Sequence, residues 1–180
     1  MGEQHSRMSR RIASSAIKVV EQTELDIRSR LRGGHLDFTA MSAVSNIYRA
    51  GTSVRNHMER TILADNGLSW IAFTVLWVLW IWGEQETGSV ASEAGVTKGT
   101  LTGVVRTLTG RKLLIRTIQK DDRRRVNIRL SSHGEKLISK IFPLFNHEEH
   151  AVMSGLSISE QKELARLLRK VNAHMHEEAL

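Results

Sequence analysis

A mainly α-helical fold carrying one small β-hairpin is what the 180-residue sequence predicts, and three observations predict it. Through most of the chain apolar residues recur at steps of three and four, the period that places them on one face of a helix. Only Leu114–Gln119 and Val126–Leu130 read as strands, the second because Val126, Ile128 and Leu130 alternate with Asn127 and Arg129. The composition, 41% hydrophobic and 25% charged with no cysteine, is that of a globular chain with a real core. Without cysteine there are no disulfides, no thiolate metal sites and no cysteine redox chemistry.

Each element has its own signals. Glu3–Arg32 carries Met8, Ile12, Val19, Val20, Ile27 and Leu31 among many charges, an amphipathic helix that Gly33-Gly34 would end. Residues 1–35 thus read as an N-terminal helical extension. From Leu36 a second stripe runs through Phe38, Met41, Val44, Ile47, Gly51, Val54, Met58 and Ile62, stopping at the turn signal Asp65-Asn66-Gly67. Ser69 to Gly83 is apolar on nearly every side and holds all four tryptophans. A bilayer span needs about 20 apolar residues, so this shorter segment is expected as a buried core helix, some of whose tryptophans could line a cavity. Ser89–Gly95 and Thr97–Lys112 follow as two helices separated by a Gly-Val turn, then the two strands around a charged tip, Lys120–Arg125. Ser132 with Glu135, and Ser157 with Glu160, have the spacing of capping boxes that open two last helices. Pro143 falls inside the first and should kink it.

Charge is concentrated where chemistry is expected. The net charge is +7, yet Thr97–Leu130 alone holds ten basic residues against Asp121 and Asp122, leaving −1 to the rest of the chain. Within that stretch the segment from Val90 to Val104 has the residue types of a tight helix-turn-helix. Ala91 is small where two helices would cross, Gly95 tolerates a positive φ, and Val96 plugs the angle. Leu101 and Val104 anchor the second helix, and Thr97 caps it. The outer face is left with Lys98, Gly99, Thr100, Thr102 and Arg106, small polar groups suited to a major groove. Three adjacent arginines, Arg123, Arg124 and Arg125, repel one another at a hairpin tip unless they meet a strong negative potential such as that of a narrow minor groove.

The pieces VASEAGVTKGTLTGVVRTL, LLIR and DRRRVNIRLSSHG carry a resemblance. From Leu101 through Gly134 the chain resembles the multiple-antibiotic-resistance-regulator (MarR) family of winged helix-turn-helix transcription factors, and its helix order fits over about Leu36–Met175. The resemblance implies a regulator, most often a repressor, that binds double-stranded DNA as a homodimer on a pseudo-palindromic operator. It implies a winged DNA-binding lobe over 67–130 and a dimer built from N- and C-terminal helices over 36–66 and 131–180. Lys98, Thr100, Thr102 and Arg106 would be recognition-helix positions. Arg123 would enter the minor groove, steadied by Asp122, with Arg124 supporting it or touching phosphate. A small aromatic effector would sit between the dimer helices and the DNA-binding lobe, where His57, Trp70 and Trp77 would stand; the other reading makes the tryptophans plain core. Two positions depart from the family pattern. Gly103 stands where a long base-contacting side chain is common, and Lys112 where a glycine usually ends the recognition helix. Either the helix ends sooner, at Gly110, or Lys112 takes a left-handed conformation.

No glycine-rich phosphate loop, His-Glu-x-x-His pair or assembled nucleophile triad is present, so an enzyme is not expected. His147 and His150 share a helix face, and His174 and His176 lie near the end, but no further ligand supports a zinc site. Neither metal nor cofactor is therefore expected. The start of the sequence lacks the apolar run of a signal peptide, and the expectation is a cytoplasmic protein with no membrane association. The rival reading is a winged-helix module whose basic face binds an acidic protein partner or RNA without an operator.

Overall fold

A computed structural model describes residues 2–31, 35–118 and 125–177. The chain divides into two compact units, residues 1–53 and 54–180. In the first, helix α1 (Gly2–Arg30) lies against the start of α2 (Phe38–Met58). Asp37 opens α2, its Oδ1 accepting from the backbone N–H groups of Thr39 and Ala40 at 2.9 Å each. Glu24 of α1 accepts from the Ser42 hydroxyl at 2.8 Å and from the Asn46 amide at 2.9 Å. These two hydrogen bonds, the Ser42 one foremost, hold the Glu24 carboxyl below its usual range. The Arg28 guanidinium stands 5.7 Å from the centre of the Phe38 ring.

The second unit holds the core. α2 runs out through a π-helical turn (Glu59–Leu63) and a 3₁₀ turn (Ala64–Asn66) to Gly67, whose φ of 62° closes the corner where the sequence signals a turn. Helix α3 (Trp70–Trp82) begins at Ser69, whose side chain accepts from Ala72 N–H, and ends at Gly83, as its sequence implies. The expected core helix forms, with some of its tryptophans at a cleft rather than in the core itself. Phe73, Val75, Leu76, Val78 and Leu79 fill the core, whereas Trp70, Trp77 and Trp80 are only half-buried and Trp82 is 50% exposed. Indoles are too large for the axis of so small a core, so the branched aliphatics take it and the rings lie along the rim.

Next come a two-residue strand β1 (Gln85–Glu86), α4 (Thr87–Glu93), α5 (Lys98–Gly110), β2 (Leu114–Ile118) and β3 (Val126–Leu130). The sheet is antiparallel in the order β1-β3-β2, with Leu114 opposite Leu130 and Ile118 opposite Val126, and with Glu86 opposite Asn127. Ile128 and Leu130 are buried while Arg129 is exposed, the alternation that the sequence shows. Two residues give β1 too short a pattern to be read from sequence.

Helix α6 (Ser132–Met153) starts one residue earlier than the capping-box reading places it. Its cap is Ser131, not Ser132: the Ser131 side chain accepts from Gly134 N–H while its hydroxyl donates to the Lys112 carbonyl at 2.6 Å. That second bond ties the cap to the end of α5, a tertiary preference that spacing alone does not reveal. Pro143 lies within α6, which is continuous across it. The Ser157–Glu160 box does form ahead of α7 (Ile158–Glu177), with Ser157 N–H donating to Glu160 at 2.7 Å and Glu160 N–H to Ser157 Oγ at 3.3 Å. Along α7, Leu164, Leu167, Val171 and Met175 are exposed.

Candidate nucleic-acid interface

The helix-turn-helix forms as its residues require. Ala91 and Val90 are buried, Gly95 has a φ of 63°, and Val96 is half-buried, its N–H donating to the Ala91 carbonyl at 3.0 Å. Thr97 caps α5, accepting from Thr100 N–H at 3.2 Å. Leu101, Val105 and Leu108 bury the inner face, and the half-buried Val104 packs against the same core as expected. Thr97, Lys98, Thr100, Thr102 and Arg106 are all exposed. A Cβ on Gly103 would meet nothing within 4 Å, so the bare backbone there faces open space.

The threonine hydroxyls are partly committed. Thr102 donates to the Lys98 carbonyl at 2.8 Å, and Thr107 to that of Gly103 at 3.1 Å. The Thr97 and Thr100 hydroxyls share a hydrogen bond of 3.0 Å. The proton of Thr102 is thus engaged with its own helix, which leaves the lone pair and the methyl group for a partner.

Both readings of the end of α5 hold: the helix stops at Gly110, and Lys112 takes a φ of 59°. Arg111 turns back to the corner before α3, its guanidinium donating to the carbonyl of Asn66 at 2.9 Å and to that of Gly67. The corner after Lys112 is tightly built. Ser131 N–H donates to the Leu113 carbonyl, and a Cβ on Gly134 would lie 2.2 Å from that same oxygen.

Asp122, Arg123 and Arg124 lie outside the described residues. Arg125 is exposed, and both its Nε and Nη2 donate to Glu86 Oε2, at 3.1 and 2.8 Å. Asn127 donates to Glu84 at 3.0 Å, and Arg129 stands 3.8 Å from the same carboxylate. Sequence reasoning passes over Glu84, Glu86 and Arg111, because their partners lie about forty residues away and no local spacing announces them.

On the other side of α3, Trp70 and Trp77 wall a largely apolar cleft of about 360 Å³ together with Phe142, Phe145 and Glu149. Phe73 stacks on Phe145 at 4.2 Å between ring centres, which sets its floor. His57, grouped with the two tryptophans from the sequence, is not among the lining residues; its Nε2 is 2.8 Å from Glu148 Oε2. Among the described residues no three His, Asp or Glu side chains converge as a metal site, and no single helix is long and apolar enough to cross a membrane.

The family model for MarR matches residues 68–126, the stretch from the start of α3 to the start of β3. The chain is 35% identical over 141 residues to YwaE, an HTH-type transcriptional regulator of Bacillus subtilis, covering 78% of this chain and 82% of that one. It is 31% identical over 123 residues to MhqR of the same organism, another HTH-type transcriptional regulator, covering 68% and 84%. Among solved structures it is similar to BpsR of Bordetella bronchiseptica, at 27% identity and a TM-score of 0.68 over 72% of this chain and 98% of that one. That structure is described in terms of the regulation of BpsR DNA binding by 6-hydroxynicotinic acid.

Proposed function

Since the chain belongs to the MarR family of transcriptional regulators, we propose that it binds double-stranded DNA sequence-selectively as a homodimer and represses the genes beside its operator. The observation that carries this is the exposed face of α5. It combines Lys98, Thr100, Thr102 and Arg106 with a bare Gly103 on a helix capped at Thr97, beside a hairpin that brings more arginine. Slim polar side chains let a helix sit deep in a major groove, and the basic residues supply affinity by releasing counterions. Arg123, steadied by Asp122, is the wing's minor-groove contact in this reading, with Arg124 supporting it or touching phosphate. Residues 67–130 form the DNA-binding lobe, with 36–66 and 131–180 the dimerisation region and 1–35 an added helical extension. The exposed apolar face of α7, with Leu164, Leu167, Val171 and Met175, supports a second copy as its cover.

Fluorescence-anisotropy titration of the full chain tests this, using duplexes selected from a randomised pool and unselected duplexes across a salt series. The operator reading expects a selected sequence bound at least about a thousandfold more tightly than random DNA, with a steep salt slope. Arg123→Ala should weaken that binding in a protein that still folds. Equal affinity for selected and random duplexes would leave the rival, a basic module for RNA or an acidic protein.

The cleft beside Trp70 and Trp77 favours a second element of the reading, release by a small aromatic ligand. Its walls are aromatic, Glu149 is a polar group at its edge, and its volume of about 360 Å³ falls within the range of small-molecule sites. Titration of tryptophan emission with aromatic acids, followed by competition against bound duplex, tests it.

A further inference from the structure

The outer face of β3 is a ladder. Arg125, Asn127 and Arg129 stand at successive i, i+2 positions, on the side opposite the half-buried Val126 and the buried Ile128 and Leu130. All three reach the same short stretch of chain: Arg125 to Glu86, Asn127 and Arg129 to Glu84. Those acids are themselves two residues apart, at and just before β1, and since Glu86 lies opposite Asn127, Arg125 reaches Glu86 and Asn127 reaches Glu84 on the diagonal. β1 has only two residues, and its backbone pairing to β3 is correspondingly brief. β2 pairs with β3 over all five of its residues, so the side-chain contacts matter on the other edge, where they extend the brief β1–β3 pairing toward the hairpin tip. The pairs are exposed, with 54% of Arg125 and 37% of Glu86 open to solvent, so each is weak singly and matters as part of a network.

We infer that Arg125 is a positioning residue of the wing, acting through Glu86, rather than a contact to DNA. This rests on the DNA-binding reading above. The Glu86 carboxylate already neutralises the Arg125 charge, so this arginine adds little to counterion release. Its part is to hold β3 against β1 and so to set the angle at which the hairpin leaves the lobe. Arg123 and Arg124 then carry the wing's charge to the duplex.

The test uses the full-length protein and a duplex it selects from a randomised pool. Glu86→Gln and Arg125→Gln should each weaken binding about two- to fivefold. The salt slope should stay unchanged, and the double variant should be no weaker than either single one. The charge swap, Glu86→Arg with Arg125→Glu, should return affinity to within about twofold of the parent, since it restores the pair in reverse. In the protein without DNA, hydrogen exchange at the Val126–Leu130 amides should quicken in both single variants and slow again in the swap. The inference is overturned if Arg125→Gln lowers the salt slope by about one unit, if Glu86→Gln leaves binding unchanged or tightens it, or if the swap remains as weak as Arg125→Glu alone. Unchanged exchange in Glu86→Gln overturns it too. Failure of the parent protein to select any duplex would count against the operator reading instead, and the exchange measurement would still judge the Glu86–Arg125 pair.

Discussion

Replacing Gly134 by alanine should destabilise the protein, although the same change in a helix ordinarily helps. Alanine is worth about 0.5–1 kcal/mol over glycine in a helix, because it loses less backbone freedom on folding. At Gly134 the added Cβ would lie 2.2 Å from the Leu113 carbonyl oxygen and 3.1 Å from its carbon, with Leu130 Cδ2 at 3.3 Å. The obstacle is backbone, and that oxygen already accepts from Ser131 N–H. Relief requires a shift of about 1 Å in a corner fixed from three sides, which puts the cost near the upper end of the roughly 1–3 kcal/mol seen for overpacking. Set against the helix gain, the net loss is about 2 kcal/mol, a fall in Tm of roughly 4–8 °C for a chain of this length. Urea unfolding followed by circular dichroism measures it, with Gly103→Ala as control. Gly103 has open space beside it and should gain about 0.5–1 kcal/mol. Because Lys112 and Leu113 lead directly out of α5, Gly134→Ala should, on the DNA-binding reading, also weaken DNA binding beyond its effect on stability. A Gly134→Ala protein as stable as the parent would refute the close-packed corner.

Three further outcomes are expected. Lys112→Gly should raise stability by about 0.5–1 kcal/mol in urea melts, since a side chain at a φ of 59° is strained and glycine is not; a loss would show that the Lys112 side chain matters more than its backbone. Thr102→Val should keep most DNA affinity whereas Thr102→Ser loses several-fold, because the Thr102 hydroxyl proton is engaged with the Lys98 carbonyl and, of the lone pair and methyl group left for a partner, the methyl is the one that packs on a thymine; the reverse order in an anisotropy titration would restore the hydroxyl as the reader. Acidification should loosen the N-terminal hairpin through Glu24. Its folded-state pKa is depressed below the usual 4.5, so its contribution is complete above that value and is lost as pH falls through the lower folded value. Glu24→Gln should therefore flatten the decline of the thermal midpoint below about pH 4.5, and identical profiles in the two proteins would discount the Ser42 and Asn46 contacts.

The parts of the interface that sequence reveals are those whose cause is local. Gly95 in the left-handed region, Thr97 as a cap and the strained Lys112 each follow from a single position and its immediate neighbours. Alternation in β3 and the capping box at Ser157 are equally short-range. What stayed hidden depends on distant partners. The cap at Ser131 is chosen over Ser132 by a bond to Lys112, and Arg111 is claimed by carbonyls at Asn66 and Gly67. A count of basic residues assigns Arg125 to nucleic acid; only the fold brings Glu86 beside it. The tryptophans follow the same logic, since a uniformly apolar helix does not say which of its sides faces the deepest part of the core.

That helix has a practical consequence for anyone studying the protein in solution. All four tryptophans are confined to Trp70–Trp82, and two of them, Trp77 and Trp82, meet edge to face at 5.5 Å. Intrinsic emission is therefore not averaged over the molecule but is a gauge fitted to one strut, which touches α4, α5, α6 and β3. A change in colour or lifetime would be a report from the centre of the second unit, obtained without attaching a dye.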